Sequence, residues 1–534
     1  MKAKKVMCML LAAVLAGSMM AGCQGEGSGE SEQSADSGKN DFQIVTVRWT
    51  DTWPIDYLHE GIMKEMEDKG GVKLDWKVYY DTDWQEQKSL LLASGELPDA
   101  FWGNICLKDT DIAQNKSYFL ELSDLIDQNM PNLKKVLEKE PELKARITDR
   151  DGKIYSLPKK APLRPKVDGN CMYINKKWLQ NLNLEMPKTY QELEEVLYKF
   201  VTEDADGDGD KGNEIGITGN AGQYVASNTM RDLMAPFATI VSRDNNYMGL
   251  DSEGKPVFMP AQENYKEGIM WLNEMYQKGI LDPEFFTQEA SMATSKIQSA
   301  KVGLITGWTA DAVAGPVADQ YEVVPALEGP DGGHYVEYAP SFLDVSDREL
   351  VLTKDCKNPE KLLQYADQFY DDEVSLQTYY GSIPDQIKKN DDGTYEVMVP
   401  TDGSSLDTSA WSNSMRDFGP KYMNEDFYSK VILPEDQGDG IKLAEDKVNE
   451  QYVKTDRNIG LPMLKYTEEE LTQLTTIGTD IYKYVEAQFA HWVVDGGIEN
   501  EWDAYLKQLD TMGLQDLVKI HDTAFQAYQD ANKG

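Results

Sequence analysis

Histidine, cysteine and positive charge are all scarce in this chain of 534 residues. There are four histidines (His59, His334, His491, His521), none with a close partner in sequence. Of five cysteines, Cys106, Cys171 and Cys356 are far apart and odd in number once Cys8 and Cys23 are set aside. That pattern gives neither a disulfide framework nor a zinc spacing. Lysine and arginine number 53 against 92 aspartates and glutamates, a net charge of -39. A surface this acidic repels nucleic acid phosphates and anionic membranes, so no nucleic acid partner is expected. It favours neutral or cationic ligands, or metal cations. No nucleophile motif, triad order or catalytic metal spacing appears, and the chain is not expected to be an enzyme. No internal repeat is present, and after the N-terminus no stretch is apolar for long enough to span a bilayer.

What is present begins at that N-terminus. Lys2, Lys4 and Lys5 precede a run from Val6 to Met20 that is apolar apart from Gly17 and Ser18. At 15 residues the run is short for a membrane span,. It leads into Met20-Ala21-Gly22-Cys23, which resembles a bacterial lipoprotein cleavage box,. Residues 1–22 are expected to be a signal peptide and Cys23 the lipid-bearing new terminus. The alternative is an ordinary signal with an incidental cysteine. From Gln24 to Asn40, Ala35 is the only apolar residue, so residues 23–41 are expected to be a flexible tether,. The expected location is the extracellular face of the cell membrane, with contact to the membrane through lipid alone.

The body opens with alternating signals. Phe42–Trp49, Val72–Val78 and Ala100–Trp102 read as strands, with helices at Tyr57–Lys69 and Asp83–Ser94 between them,. This order predicts an α/β fold with a parallel sheet that binds ligand at the carboxyl ends of its strands. Those ends carry Asp51 and Trp53, Asp83, and Trp102 and Asn104. A second unit starts near Asn170, with a strand at Met172–Ile174 and a capping box opening at Thr189,. Val302–Thr306 reads as a strand returning to the first unit, and the pattern from Thr467 onward is helical, broken at Gly496-Gly497 and Gly513. The expected division is two lobes: 42–165 with about 300–350, and 166–299 with about 351–534.

The strongest chemical motif is the loop Asp204 to Glu214. Its four aspartates and one glutamate repel one another unless a cation sits among them. Calcium takes six to eight oxygens, commonly from such a D-x-D-x-D-G run closed by a late glutamate. Asp204, Asp206 and Asp208 are expected to bind through carboxylates, Asp210 through its carbonyl, and Glu214 to close the site with Asn213 beside it. Glu214 stands eleventh, where an EF-hand has its glutamate twelfth, and a strand pattern follows the loop. Structural calcium is expected, rather than a sensor.

These segments together resemble the family 1 extracellular solute-binding lipoproteins of ABC importers, most of all the large oligosaccharide-binding type to which alginate-binding proteins are related. The resemblance spans nearly the whole chain. It rests on Ala93-Ser-Gly-Glu-Leu-Pro-Asp99, Met186-Pro-Lys-Thr-Tyr190, the acidic loop, Gly279-Ile-Leu-Asp-Pro283, Asn358-Pro-Glu360, Tyr379-Tyr-Gly381 and Trp502-Asp-Ala-Tyr505. It implies a two-lobed periplasmic-binding-protein-like fold with a helical C-terminal part. The lobes would close on an oligosaccharide and present it to importer membrane subunits, the protein acting as a monomer. A peptide ligand, a sensor partner or a surface glycan-degrading enzyme are the competing readings. Sugars need flat aromatic platforms and planar polar groups. The resemblance points to Trp308 and Trp411, with Arg416 near. Trp53, Asp51, Asp83, Trp102 and Asn104 are added by their place at strand ends.

Overall fold

The structure, a computed structural model, describes residues 40–161, 171–219, 228–239, 246–335, 345–453 and 459–531. The expected signal peptide and Cys23 lie outside the described residues.

Two mixed sheets organise the body. The first has six strands in the order β14-β4-β11-β3-β1-β2. Its members are β1 (Asp41–Arg48), β2 (Lys73–Tyr80), β3 (Ala100–Trp102), β4 (Leu157–Lys160), β11 (Val345–Leu352) and β14 (Lys421–Tyr422). β1 pairs in parallel with β2 and with β3, as the alternating pattern predicts. The intervening helix Asp81–Ser94 ends at Gly95 in the left-handed conformation,. The helix expected over Tyr57–Lys69 is split instead. A short 3-10 turn, Asp56–His59, precedes a helix over Gly61–Gly70, because Gly61 has φ of +52° and Ser382 Oγ accepts from the Ile62 amide.

The second sheet has the order β10-β5-β9-β6. It comprises β5 (Cys171–Asn175), β6 (Ile215–Ile217), β9 (Val302–Gly307) and β10 (Tyr321–Val323). A hairpin of β7 (Met248–Leu250) and β8 (Pro256–Phe258) adjoins it in sequence. A small sheet of β12 (Ile387–Lys389), β13 (Tyr395–Val397) and β15 (Val431–Ile432) completes the strands among the described residues.

Two expectations change here. The strand at Val302–Thr306 does not return to the first sheet; it pairs with β5 and β6 in the second. The return is made by β11, antiparallel to both β3 and β4. β11 hides from an apolar scan because its first half reads Val-Ser-Asp-Arg-Glu, and Asp347 and Glu349 are buried there among partners supplied by distant segments. Core membership also divides the chain after residue 351. Leu362, Tyr365 and Phe369 pack with β1 and β3, whereas Ile481, Phe489, Trp502 and Leu517 pack with β5 and β9.

The C-terminal helices Glu468–Asp495, Ile498–Thr511 and Leu514–Ala531 break where the glycines predict. The first has a full capping box, Thr467 with Glu470,. At the expected box, Thr189 Oγ1 accepts from the Glu192 amide, but the Glu192 carboxylate takes the Lys188 amide instead. No described helix is long and apolar enough to cross a membrane.

Candidate functional site

The carboxyl end of β1 carries Arg48, and an aromatic wall is assembled around it. Trp53, in the loop after the strand, stacks on Trp411 with centroids 4.9 Å apart and planes 7° apart. Phe418 meets Trp411 edge-on at 5.7 Å and Trp49 at 5.8 Å. Trp49 is 41 % exposed, Trp53 is half-buried and Trp411 is 5 % exposed, so the wall grades from core to solvent. Arg48 is 1 % exposed, and its guanidinium lies 5.2 Å from the Trp411 ring, 5.9 Å from Trp53 and 5.1 Å from Tyr57. It donates to the Trp411 carbonyl, to the Ser414 carbonyl at 3.4 Å and to the Tyr57 hydroxyl at 2.5 Å. Burial lowers the guanidinium pKa from its ordinary value, and the Tyr57 oxygen opposes that,. Arg48 thus fastens the end of the helix Leu406–Asn413 to the first strand.

The loop after that helix rests on buried charge. Glu349 accepts from the Gly419 amide at 2.8 Å, Lys159 donates to the Asp417 carbonyl at 2.5 Å, and Lys421 donates to the Phe418 carbonyl at 2.6 Å. Gly419 has φ of +87°, and a Cβ there would stand 2.1 Å from the Trp102 indole nitrogen, so only glycine lets the loop lie on that ring,.

Three expected ligand residues are buried among protein partners. Trp102 is 1 % exposed and packs on Trp76, Tyr365 and Phe369, because its strand is central and covered on both faces,. Asn104 is buried and donates to Ser346 Oγ at 2.9 Å. Arg416, also buried, has φ of +52° and donates to Asp407 at 2.9 Å and Asp439 at 3.0 Å. Those carboxylates hold its guanidinium above the ordinary range despite burial. Asp51 and Asp83 are exposed, at the carboxyl ends of β1 and β2.

Trp308 follows β9 in the other sheet. Its carbonyl accepts from the Tyr173 hydroxyl at 3.1 Å, and the Lys442 ammonium stands 5.0 Å over its ring. Lys442 and Asp439 share the helix Gly438–Val453. One turn of that helix thus reaches Arg416 beside the first sheet and Trp308 at the end of the second. Sequence reading missed Arg48, Phe418 and Lys442. The one signal for Arg48 was a lone arginine closing a strand that buries Phe42, Ile44 and Val47.

The acidic loop lies between the helix Tyr190–Thr202 and β6. One carboxylate oxygen from each of Asp204, Asp206 and Asp208 falls within 4.8 Å of the others. The loop's own amides hold them: Gly209 donates to Asp204, Asp208 to Asp206 and Asp210 to Asp208. Glu214 is buried and takes the Ala205 amide on one oxygen. Its other oxygen, and the Asn213 side-chain oxygen, are buried with no hydrogen-bond partner among the described residues. Buried acceptors are normally paired, and an oxygen-seeking cation is one partner that such acceptors take. The donor set, all oxygen and mostly carboxylate, fits a hard divalent ion.

Two sheets with separate cores, aromatic platforms at their strand ends and a helix reaching both define a two-lobed binding protein. The chain belongs to the bacterial extracellular solute-binding proteins, whose family pattern matches residues 61–384. It is 31 % identical, over 90 % of this chain and 89 % of the relative, to the fructooligosaccharide ABC transporter substrate-binding protein FusA of Streptococcus pneumoniae. The structure of a FusA EF-hand mutant in complex with fructo-nystose superposes with a TM-score of 0.78 at 28 % identity, covering 92 % of this chain and 99 % of that one. An HMO-binding, ABC-transporter-associated solute-binding protein from Bifidobacterium longum infantis shares the fold, with a TM-score of 0.80 at 24 % identity over 92 % of this chain and 99 % of that one.

Proposed function

We propose that this chain captures an oligosaccharide between its two lobes and delivers it to an ABC importer. It does so as a monomer held at the extracellular face of the membrane by lipid on Cys23. The observation that carries this reading is the aromatic wall in which Trp49 and Trp53, just past the end of the parallel strand β1, meet Phe418 and Trp411. Sugar rings present flat CH faces that such platforms take up, and parallel sheets receive ligands at this edge. The likeness to FusA over nine-tenths of both chains supports a sugar ligand and an importer partner. Trp49 and Trp53 form the platform on the first lobe, backed by the buried Trp411, with Asp51 and Asp83 at its rim, and Trp308 faces the ligand from the second. Trp102, Asn104 and Arg416 hold the platform in place. The lobes divide with the cores: 40–161 and 345–435 against 171–335 and 459–531. Closure needs the ligand to bind the closed form better than the open one. No residue is assigned a catalytic step.

Calcium is the proposed resident of the acidic loop, held by Asp204, Asp206 and Asp208, the Asp210 carbonyl and Glu214, with Asn213 beside them. It would neutralise the carboxylates and pin the loop, and it has no part in ligand chemistry. The unpaired Glu214 and Asn213 oxygens support this. The EF-hand named for the FusA structure supports it as well.

A thermal-shift screen over neutral oligosaccharides, uronate oligomers and peptides, followed by calorimetry, tests the ligand class. Stabilisation by oligosaccharides alone is expected. Stabilisation by peptides with none by sugars would overturn the reading.

A further inference from the structure

The acidic loop carries a cation of its own. Lys301 Nζ stands 3.2 Å from a carboxylate oxygen of Asp206 and 3.2 Å from one of Asp208. It comes from outside the loop, immediately before β9, where its carbonyl accepts from the Ile215 amide at 2.9 Å. Ile215 directly follows Glu214, so the backbone that closes the loop also fixes Lys301 against it. The preceding Ala300 has φ of +58°, which turns the chain sharply out of the helix Ala290–Gln298 to bring the lysine there. No other lysine or arginine is paired with the three converging aspartates among the described residues.

We propose that Lys301 is a built-in counter-ion that sets the affinity of this loop for its divalent cation. The inference rests on the calcium reading above. An ion held by those same carboxylate oxygens would sit within about 6 Å of the ammonium, given metal–oxygen distances of about 2.4 Å. Charges of +1 and +2 at that separation repel, and at physiological salt the repulsion is only partly screened. Before the ion arrives, the ammonium bridges two carboxylates that would otherwise repel each other. It therefore favours the metal-free loop and opposes loading, and both effects act in the same direction. The consequence is a loop that stays formed without metal and releases its ion more readily than its carboxylate count implies.

The test is calorimetric titration of calcium chloride into chelator-stripped wild type, Lys301→Met and Lys301→Gln, with melting curves for each in chelator and in saturating calcium. Both variants are expected to bind calcium about three- to tenfold more tightly than wild type. Their melting temperatures are expected to fall in chelator and to match wild type in calcium. Met and Gln keep the length of the stem while removing charge, so agreement between them assigns the effect to charge. Unchanged or weaker calcium binding in both variants would overturn the proposal while leaving the calcium site standing. No binding by wild type would overturn the calcium reading, and the role of Lys301 with it.

Discussion

In the acidic loop every candidate ligand oxygen comes from eleven consecutive residues, Asp204 to Glu214. The aromatic wall instead joins Arg48, Trp53 and Tyr57 to Trp411 and Phe418, with Arg48 and Trp411 standing 363 positions apart. The loop is ordered by its own amides, each aspartate taking a hydrogen bond from a residue two to five positions ahead. The wall is ordered by the tertiary fold, through one guanidinium and a bed of buried charge. A site built locally survives most changes elsewhere and answers to its ion and to Lys301, the one distant cation set against it among the described residues. One built across the chain inherits the stability of the first lobe, and damage to a distant support should reach it.

Four perturbations separate the two regions. The largest expected effect is that of Arg416→Met, which removes the buried guanidinium that Asp407 and Asp439 hold. It should cost about 3–5 kcal/mol in denaturant unfolding and leave calcium affinity unaltered. Asp208→Ala should do the converse. It should remove most of the stabilisation that calcium at a hundred times its Kd provides, about 2.7 kcal/mol, while ligand affinity holds. Arg48→Met strips the Trp411 and Ser414 carbonyls of their donor and should cost about 2 kcal/mol. It should also weaken the circular-dichroism couplet of the stacked tryptophans, a readout of ring geometry that a general loss of stability would not mimic under native conditions. The smallest is a pH effect. Burial, with Lys159 beside it, pulls the Lys421 amine down to about 7. The unfolded chain, with its ordinary lysine, then binds more protons than the folded one above that value. Stability should therefore rise by about 1 kcal/mol between pH 7 and 8, and Lys421→Met should flatten the rise.

The same contrast explains what could be read from the chain directly. The β1-β2-β3 order, the helix stops at Gly95 and Gly496, and the convergence of Asp204, Asp206 and Asp208 are local signals, and the structure has them where the spacing puts them. Trp53 and Trp411 could be nominated separately, but not as a stacked pair. Trp102 misleads because a strand-end tryptophan looks the same whether it faces solvent or core. Gly419, 317 positions later, is what lies against its ring. β11 is missed because buried Asp347 and Glu349 break its apolar run, and their compensation comes from Lys465, Arg348, Lys159 and the Gly419 amide. Arg416 reads as a free cation beside a tryptophan, and its partner Asp439 lies in another helix. Long-range pairing of charge leaves no periodicity to detect.

The most direct test of ligand capture at the aromatic wall is calorimetric titration of the best oligosaccharide from the screen into wild type and Trp53→Ala. Trp53 is half-buried and at the exposed side of the stack, so its loss should leave the fold intact. The account predicts saturable binding at one site per chain in wild type, weakened about thirtyfold, or 2 kcal/mol, in the variant. Equal affinity in the two proteins would contradict it.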